Sequence, residues 1–149
     1  MGSSYGGAVA LLYTSSESGI KALGLKSPAS FMPETFEAEF GEKKVQDWKL
    51  KGYDESIGYN YDVYLDGFNY DIYAVARNIR VPCLITHGDH DEIVPFSQSQ
   101  KLVKSFGKKP NFIVFRNGNH KYTANKGDWD KMANLFVRWF NTELKKGWF

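Results

Sequence analysis

At 149 residues the chain has the length of one globular domain, which at that size buries roughly 68–70% of the surface its unfolded form exposes. With 42% hydrophobic and 24% charged residues it is neither a disordered nor a fibrous sequence, and a net charge of +2 is too small to point to nucleic acid. No apolar stretch reaches the ~18 residues of a membrane span, no basic-then-apolar leader opens the chain, and one cysteine makes no disulfide framework, so a soluble cytoplasmic protein is expected.

The first chemistry-bearing element stands at the very start. Gly2-Ser3-Ser4-Tyr5-Gly6 is a G-x-S-x-G pattern, and Gly7 leads into the apolar run Ala8-Val9-Ala10-Leu11-Leu12. In that pattern a serine occupies a tight strand-to-helix corner, where the flanking glycines let the backbone bend and leave the hydroxyl exposed. A helix is expected from Tyr5 to about Tyr13, while the strand that should enter the corner is missing, with only Met1 before Gly2.

After a loop at Ser15 to Gly19, the alternation of Ile20 to Lys26 stops at Ser27-Pro28 and predicts a strand. Residues 29–68 follow no simple period, apart from a weakly amphipathic helix marked by Phe36, Phe40 and Val45. Six of the nine tyrosines (Tyr53, Tyr59, Tyr61, Tyr64, Tyr70 and Tyr73) fall in or beside the stretch from Ser30 to about Asp71. A flat ring with a polar end suits a lid over an acyl or peptidyl substrate, and suits equally well an ordinary cover for a sheet.

Ile72, Val75, Ala76 and Ile79 are spaced for one face of a helix leading to Val81-Pro82-Cys83-Leu84-Ile85-Thr86, an apolar run that predicts a buried strand. A polar loop, His87-Gly88-Asp89-His90-Asp91-Glu92-Ile93-Val94-Pro95, follows. Phe96 to Phe106 predicts a helix that turns Leu102, Val103 and Phe106 inward, with Gly107 as its left-handed cap. Asn111 to Phe115 is the last predicted strand, ahead of Asn117-Gly118-Asn119-His120. Asp128 is expected to cap a final helix whose Trp129, Met132, Ala133, Phe136, Phe140 and Leu144 trace one apolar stripe, and Trp129, Trp139 and Trp148 read as helix packing. Strands alternating with helices imply a parallel sheet with right-handed crossovers and helices on its faces.

Ser4, Asp91 and His120 thus follow a corner or a strand in the order Ser, Asp, His. A serine hydroxyl is a poor nucleophile near neutral pH, so an imidazole must take its proton during attack and return it to the leaving group. A carboxylate holds the imidazole tautomer and stabilises the imidazolium, and backbone N–H groups stabilise the oxyanion. Asp89 competes with Asp91 for the acid role. His87 and His90 beside two aspartates also suggest a metal site, but they share one short loop with only His120 to join them, so no metal or cofactor is expected and a solvated or hydrogen-bonded loop is preferred. Cys83 reads as a small buried core residue. Residues 34–73 carry ten acids against four lysines and residues 101–149 eleven basic residues against three acids, an asymmetry read as lysine-rich solvated helices rather than an anion-binding face.

The corner, the Asp91-Glu92-Ile93-Val94-Pro95 stretch and the His120 loop resemble the α/β-hydrolase superfamily from Gly2 to Leu144. Locally the chain is most similar to serine aminopeptidase and monoacylglycerol-lipase-like enzymes and to the hydrolase domain of prolyl-oligopeptidase-type enzymes. The resemblance implies Ser4 as nucleophile, Asp91 as the acid, His120 as general base and the Tyr5 N–H as one oxyanion donor, with a short cap inserted at about residues 30–71. It also implies the C-terminal half of that fold, because the second oxyanion donor normally comes from a loop upstream of the corner. The expected function is a serine hydrolase of short acyl esters or small peptidyl amides, incomplete without an N-terminal half; the alternative is a non-catalytic remnant acting through self-association or protein binding. An open edge along Ile20 to Leu25 and a frayed Ser4 are expected, and hence a homo-oligomer or a missing hydrolase half as partner, with neither nucleic acid nor membrane.

Overall fold

Apolar runs of four to six residues bounded by Gly, Pro and polar loops become strands, and the longer periodic stretches between them become helices. The computed structural model describes residues 1–146. Along the chain run β1 (Gly2–Ser3), α1 (Tyr5–Ser16), β2 (Leu23–Lys26), α2 (Met32–Phe40), α3 (Glu42–Lys51), β3 (Tyr53–Asp54), β4 (Tyr59–Asn60) and α4 (Asp62–Asp66). A single 3₁₀ turn at Gly67–Asn69 precedes α5 (Ile72–Ala76), β5 (Cys83–Gly88), α6 (Phe96–Ser105), β6 (Asn111–Phe115) and α7 (Asp128–Lys145).

Four strands form one parallel sheet in the order β1-β2-β5-β6. Side chains alternate between its faces. Leu23, Leu25, Cys83 and Ile85 pack against Ala8 and Leu11 of α1, Ile72 and Ala76 of α5 and Leu102 of α6. On the opposite face Leu84 meets Tyr122 with Met132 and Phe136 of α7. A Cβ at Gly24 would stand 2.7 Å from Phe140, so this glycine lets the α7 ring lie directly on the β2 backbone. Each fully buried Leu, Ile or Phe contributes roughly 1.5–3 kcal/mol to holding the layers together.

The segment between β2 and α5 has a core of its own. Phe36, Val45, Trp48, Ile57 and Tyr64 cluster with Phe40 and Tyr61 at its margin, and Trp48 Nε1 donates to the Tyr59 carbonyl at 2.9 Å. Gln98 of α6 ties this segment to the sheet layer: its Oε1 accepts from Ser30 N–H at 2.8 Å and Phe31 N–H at 3.0 Å.

Several local expectations are corrected. The strand expected over Ile20 to Lys26 begins only at Leu23, whose N–H donates to Pro82 O at 2.9 Å; the three residues before it have no neighbouring strand. The strand entering the corner is not missing: Gly2 and Ser3 stand opposite Leu25 and Lys26, which pairs part of the edge expected to be open. The weak helix around Phe36 is two helices, broken at Gly41 (φ 81°). Gly107 is no left-handed cap, since α6 ends in extended backbone at Phe106. Asp128 is the first residue of α7 rather than its cap; Gly127 (φ 83°) precedes it, and the Asp128 carboxylate accepts instead from Asn125 Nδ2 at 2.8 Å. Trp129 is exposed, not packed, and Trp148 lies outside the described residues.

Candidate active site

In a parallel sheet every strand leaves by the same edge, so the segments after β1, β5 and β6 share one rim. Ser4 stands at the first of these exits with φ 52° and ψ −126°, a conformation rare for a residue with a side chain. Its N–H donates to Lys26 O at 3.0 Å, while its carbonyl accepts from Gly7 N–H at 2.9 Å and Ala29 N–H at 3.0 Å. The expected frayed Ser4 is therefore a bonded corner. Gly2 is needed there, because a Cβ would lie 2.2 Å from Gly6 O. Gly6 is not: a Cβ on it would meet nothing within 4 Å, and the tight approach belongs to Gly7, 2.7 Å from Pro28 Cβ. Tyr5 opens α1, and its N–H, like the other first amides of a helix, has no intrahelical acceptor.

Asp91 lies in the turn after β5 with its side chain fully enclosed. Oδ1 accepts from Ile93 N–H at 3.0 Å and Val94 N–H at 2.8 Å, and Oδ2 accepts from His120 Nδ1 at 2.8 Å. Burial works to raise the Asp91 pKa, but hydrogen bonds from His120, His87 and the Val94 N–H outweigh it and hold the carboxyl well below the usual carboxylate range. Nδ1–H donating to Asp91 leaves His120 Nε2 as the acceptor nitrogen, the tautomer a general base requires. The structure thus joins Asp91 to His120. Among the described residues neither the Ser4 hydroxyl nor His120 Nε2 takes part in a hydrogen bond within the chain.

His120 is fixed from three sides. Besides Asp91, Glu92 Oε2 accepts from its N–H at 3.1 Å, and Lys26 Nζ donates to its carbonyl at 2.9 Å. Lys26 is a buried cation at the exit of β2, so it bridges the Ser4 corner and the His120 loop. Desolvation lowers its pKa, partly opposed by the charge of Asp91. Tyr122 supports the same loop: although its φ is 60°, it is wholly buried, and its hydroxyl donates to Thr86 Oγ1 at 2.9 Å. Burial pushes that phenol up to about 12.

The remaining loop residues separate. Asp89, the competing acid, turns to the surface, where Asn117 N–H donates to it at 2.6 Å and His90 Nδ1 lies at 2.9 Å. His87 is wholly buried between Ser99 and Val94, so it is hydrogen-bonded but not solvated. Among the described residues no three His, Cys, Asp or Glu side chains converge on a metal position. Lys26, Glu92 and Tyr122 were not singled out by sequence reasoning; only Lys26 left a signal, a charge closing an apolar run at an inward-facing position. A groove of about 840 Å³ runs between α1 and the inserted segment, with Tyr5, Val9 and Leu12 on one wall and Met32, Val63 and Asp66 on the other.

A family profile described as the prolyl oligopeptidase family matches residues 1–147. The chain belongs to the prolyl oligopeptidase family. As a prolyl oligopeptidase family member it is similar to an uncharacterized peptidase, YuxL, of Bacillus subtilis, being 25% identical over 124 residues, which are 73% of this chain and 19% of that protein. Ferulic acid-bound Est1E from Butyrivibrio proteoclasticus superposes with a TM-score of 0.75 at 22% identity, over 97% of this chain and 58% of that one. Mouse alpha/beta hydrolase domain-containing protein 10 gives a TM-score of 0.69 at 20% identity, over 95% of this chain and 60% of that one. The fold is that of the α/β hydrolases, and the chain spans about a fifth of the Bacillus subtilis relative and less than two thirds of each of the two solved structures.

Proposed function

We propose that the chain carries the Ser-Asp-His machinery of a serine hydrolase that cleaves carboxylic esters or peptide bonds through an acyl-enzyme. The observation that supports it best is the enclosed Asp91 carboxylate bonded at 2.8 Å to His120 Nδ1, on the rim where the strained Ser4 stands. In the proposed reaction Ser4 Oγ attacks the carbonyl carbon and His120 Nε2 takes the hydroxyl proton. The Tyr5 N–H donates to the oxyanion, and collapse of the tetrahedral species releases the alcohol or amine with the proton returned by His120. Water, deprotonated by the same imidazole, then attacks the acyl carbon and frees Ser4. The groove that opens beside Tyr5 is mostly apolar, in keeping with an acyl or apolar peptidyl group, and short acyl esters or small peptidyl amides are the proposed substrates. The inserted segment, which forms the groove's other wall, acts as a cap. A lone buried thiol, Cys83, suits a cytoplasmic setting.

Activity on this reading needs a partner surface. Tyr13 is exposed on α1, and Trp129 and Val137 are exposed on a flank of α7 beside Ser3 of the β1 edge. We propose that a complementary hydrolase half covers this edge and supplies the second oxyanion donor, whose loss typically costs about 10²–10³ in turnover. The same exposed edge favours the second reading, a self-associating remnant without catalysis. A fluorophosphonate probe tests the assignment: wild-type chain co-expressed with an upstream half is expected to be labelled, the chain alone to be labelled far more slowly, and Ser4→Ala not at all. Labelling that survives Ser4→Ala removes Ser4 as nucleophile. Light scattering on the isolated chain is expected to show a dimer or larger species; a stable monomer would count against the partner surface.

A further inference from the structure

His87 is a wholly buried titratable side chain in contact with Asp91 that the reaction above does not use. Its ring is wholly enclosed at the end of β5. Nδ1 lies 2.6 Å from Ser99 Oγ on α6. Nε2 faces two groups that can only accept: the Val94 carbonyl at 3.0 Å and Asp91 Oδ2 at 3.1 Å. Nε2 therefore carries a proton, aligned on Val94 O with the carboxylate at its flank. Asp91 Oδ1 meanwhile accepts from the Val94 N–H at 2.8 Å. The Asp91-to-Val94 turn is thus closed twice, by the carboxylate on the Val94 N–H and by the imidazole on the Val94 carbonyl. Oδ2 of one buried carboxylate is shared between two imidazoles, His87 at 3.1 Å and His120 at 2.8 Å.

From this geometry we infer that His87 is a positioning residue, which fixes the Asp91 turn and aims Oδ2 at His120 Nδ1. The inference rests on the proposed roles of Asp91 and His120. Without the His87 N–H, two buried acceptors lose a donor, the turn keeps only the Oδ1 bonds from the Ile93 and Val94 N–H groups, and Oδ2 is left to His120 alone. Three cationic or acidic groups also face this cluster: Lys26 on the His120 carbonyl, Glu92 on the His120 N–H, and the Tyr122 phenol on Thr86. None of the three bonds to His87, so replacing His87 removes none of these contacts directly.

The test compares His87→Met, which fills the space without a donor, with His87→Gln, whose amide places a donor near the Nε2 position. Two readouts are taken: the rate of fluorophosphonate labelling from pH 5 to 8, and the low-field NMR proton of His120 Nδ1–H. In His87→Met, labelling is expected to slow about 10- to 100-fold, the acid limb of the pH profile to move to higher pH, and the low-field proton to broaden or shift. His87→Gln is expected to restore most of the rate and the resonance. Should His87→Met fail to fold, Ser99→Ala replaces it, with a smaller slowing of the same sign expected from the loosened ring. A wild-type rate, profile and resonance in the donor-free variant would overturn the inference. A wild type that is never labelled, with a resonance that still responds to His87→Met, would sink the hydrolase reading and leave the positioning role standing.

Discussion

Gly88→Ala separates the two loops that carry Asp91 and His120. At the end of β5 a Cβ on residue 88 would lie 2.1 Å from Gly118 O, 2.5 Å from its carbonyl carbon and 3.1 Å from Asn119 O. Cβ atoms essentially never come within 3.0 Å of another heavy atom, so the histidine loop must retreat by about 1 Å. That retreat stretches the His90 N–H to Gly118 O bond, now 3.0 Å, and draws His120 from Asp91. Overpacking of this kind costs about 1–3 kcal/mol, which lowers the thermal midpoint by roughly 2–12 °C at this chain length. A displacement near 1 Å in a catalytic group can cost about 10² in rate. Differential scanning calorimetry and fluorophosphonate labelling measure the two effects separately. A Gly88→Ala chain with the wild-type midpoint and an unmoved His120 Nδ1–H resonance would refute the close-approach argument.

Gly6→Ala is expected to be neutral or to stabilise by up to about 1 kcal/mol in thermal unfolding, despite its place in the G-x-S-x-G pattern, because α1 has room for the methyl group and a helix favours alanine. Trp48→Ala is expected to cost about 3–5 kcal/mol, confined to the inserted segment, and amide exchange should rise over α2 and α3 while β5 stays protected. Asp91, with a folded pKa held below its unfolded value near ~3.9, contributes stability that is present above that value and lost as pH falls below it. Asp54, depressed by Lys44 and Ser56, adds to the same loss. Between about pH 5 and 3 the midpoint of Asp91→Asn should therefore fall less steeply than that of wild type, and parallel curves would exclude the assignment.

What was legible in the sequence follows the range of the interactions involved. Strand β5 is an apolar run buried between β2 and β6, and β6 a short apolar run at the edge of the described sheet; their expected positions, Val81 to Thr86 and Asn111 to Phe115, lie within two residues of those observed. The inserted segment was opaque because its short helices bury single aromatics such as Trp48 and Tyr64 around a local cluster, which leaves no period to detect. Tyr61 and Tyr64 turn out to build that cluster rather than to cover the sheet, while Tyr53, Tyr59 and Tyr70 stay exposed. In the site, Ser4, Asp91 and His120 stood out through their local patterns. The residues that hold them did not, since Lys26 reaches His120 across 94 positions and Tyr122 reaches Thr86 across 36.

The strain at this rim and the ties across it belong together. Ser4, Ser27, Asn117 and Tyr122 are the non-glycine residues with positive φ among the described residues, and every one lies just beyond a strand exit or in the histidine loop. Such conformations cost on the order of 1–3 kcal/mol each and persist only where the surroundings over-determine them. Each of the four is tied to the next strand's exit or to a neighbouring loop. Ser4 N–H donates to Lys26 O at 3.0 Å, Ser27 N–H to Thr86 O at 2.8 Å, and Asn117 N–H to Asp89 Oδ1 at 2.6 Å. Tyr122 closes the series through its hydroxyl on Thr86 at 2.9 Å. The bonds step from β1 to β2, from β2 to β5 and from the acid loop to the histidine loop, in the order the strands occupy in the sheet. Strain stored at Ser4 is therefore carried by the same cross-strand bonds that set the distance from the corner to Asp91 and His120, so loosening β2 at Lys26 would release the Ser4 corner and the histidine loop together.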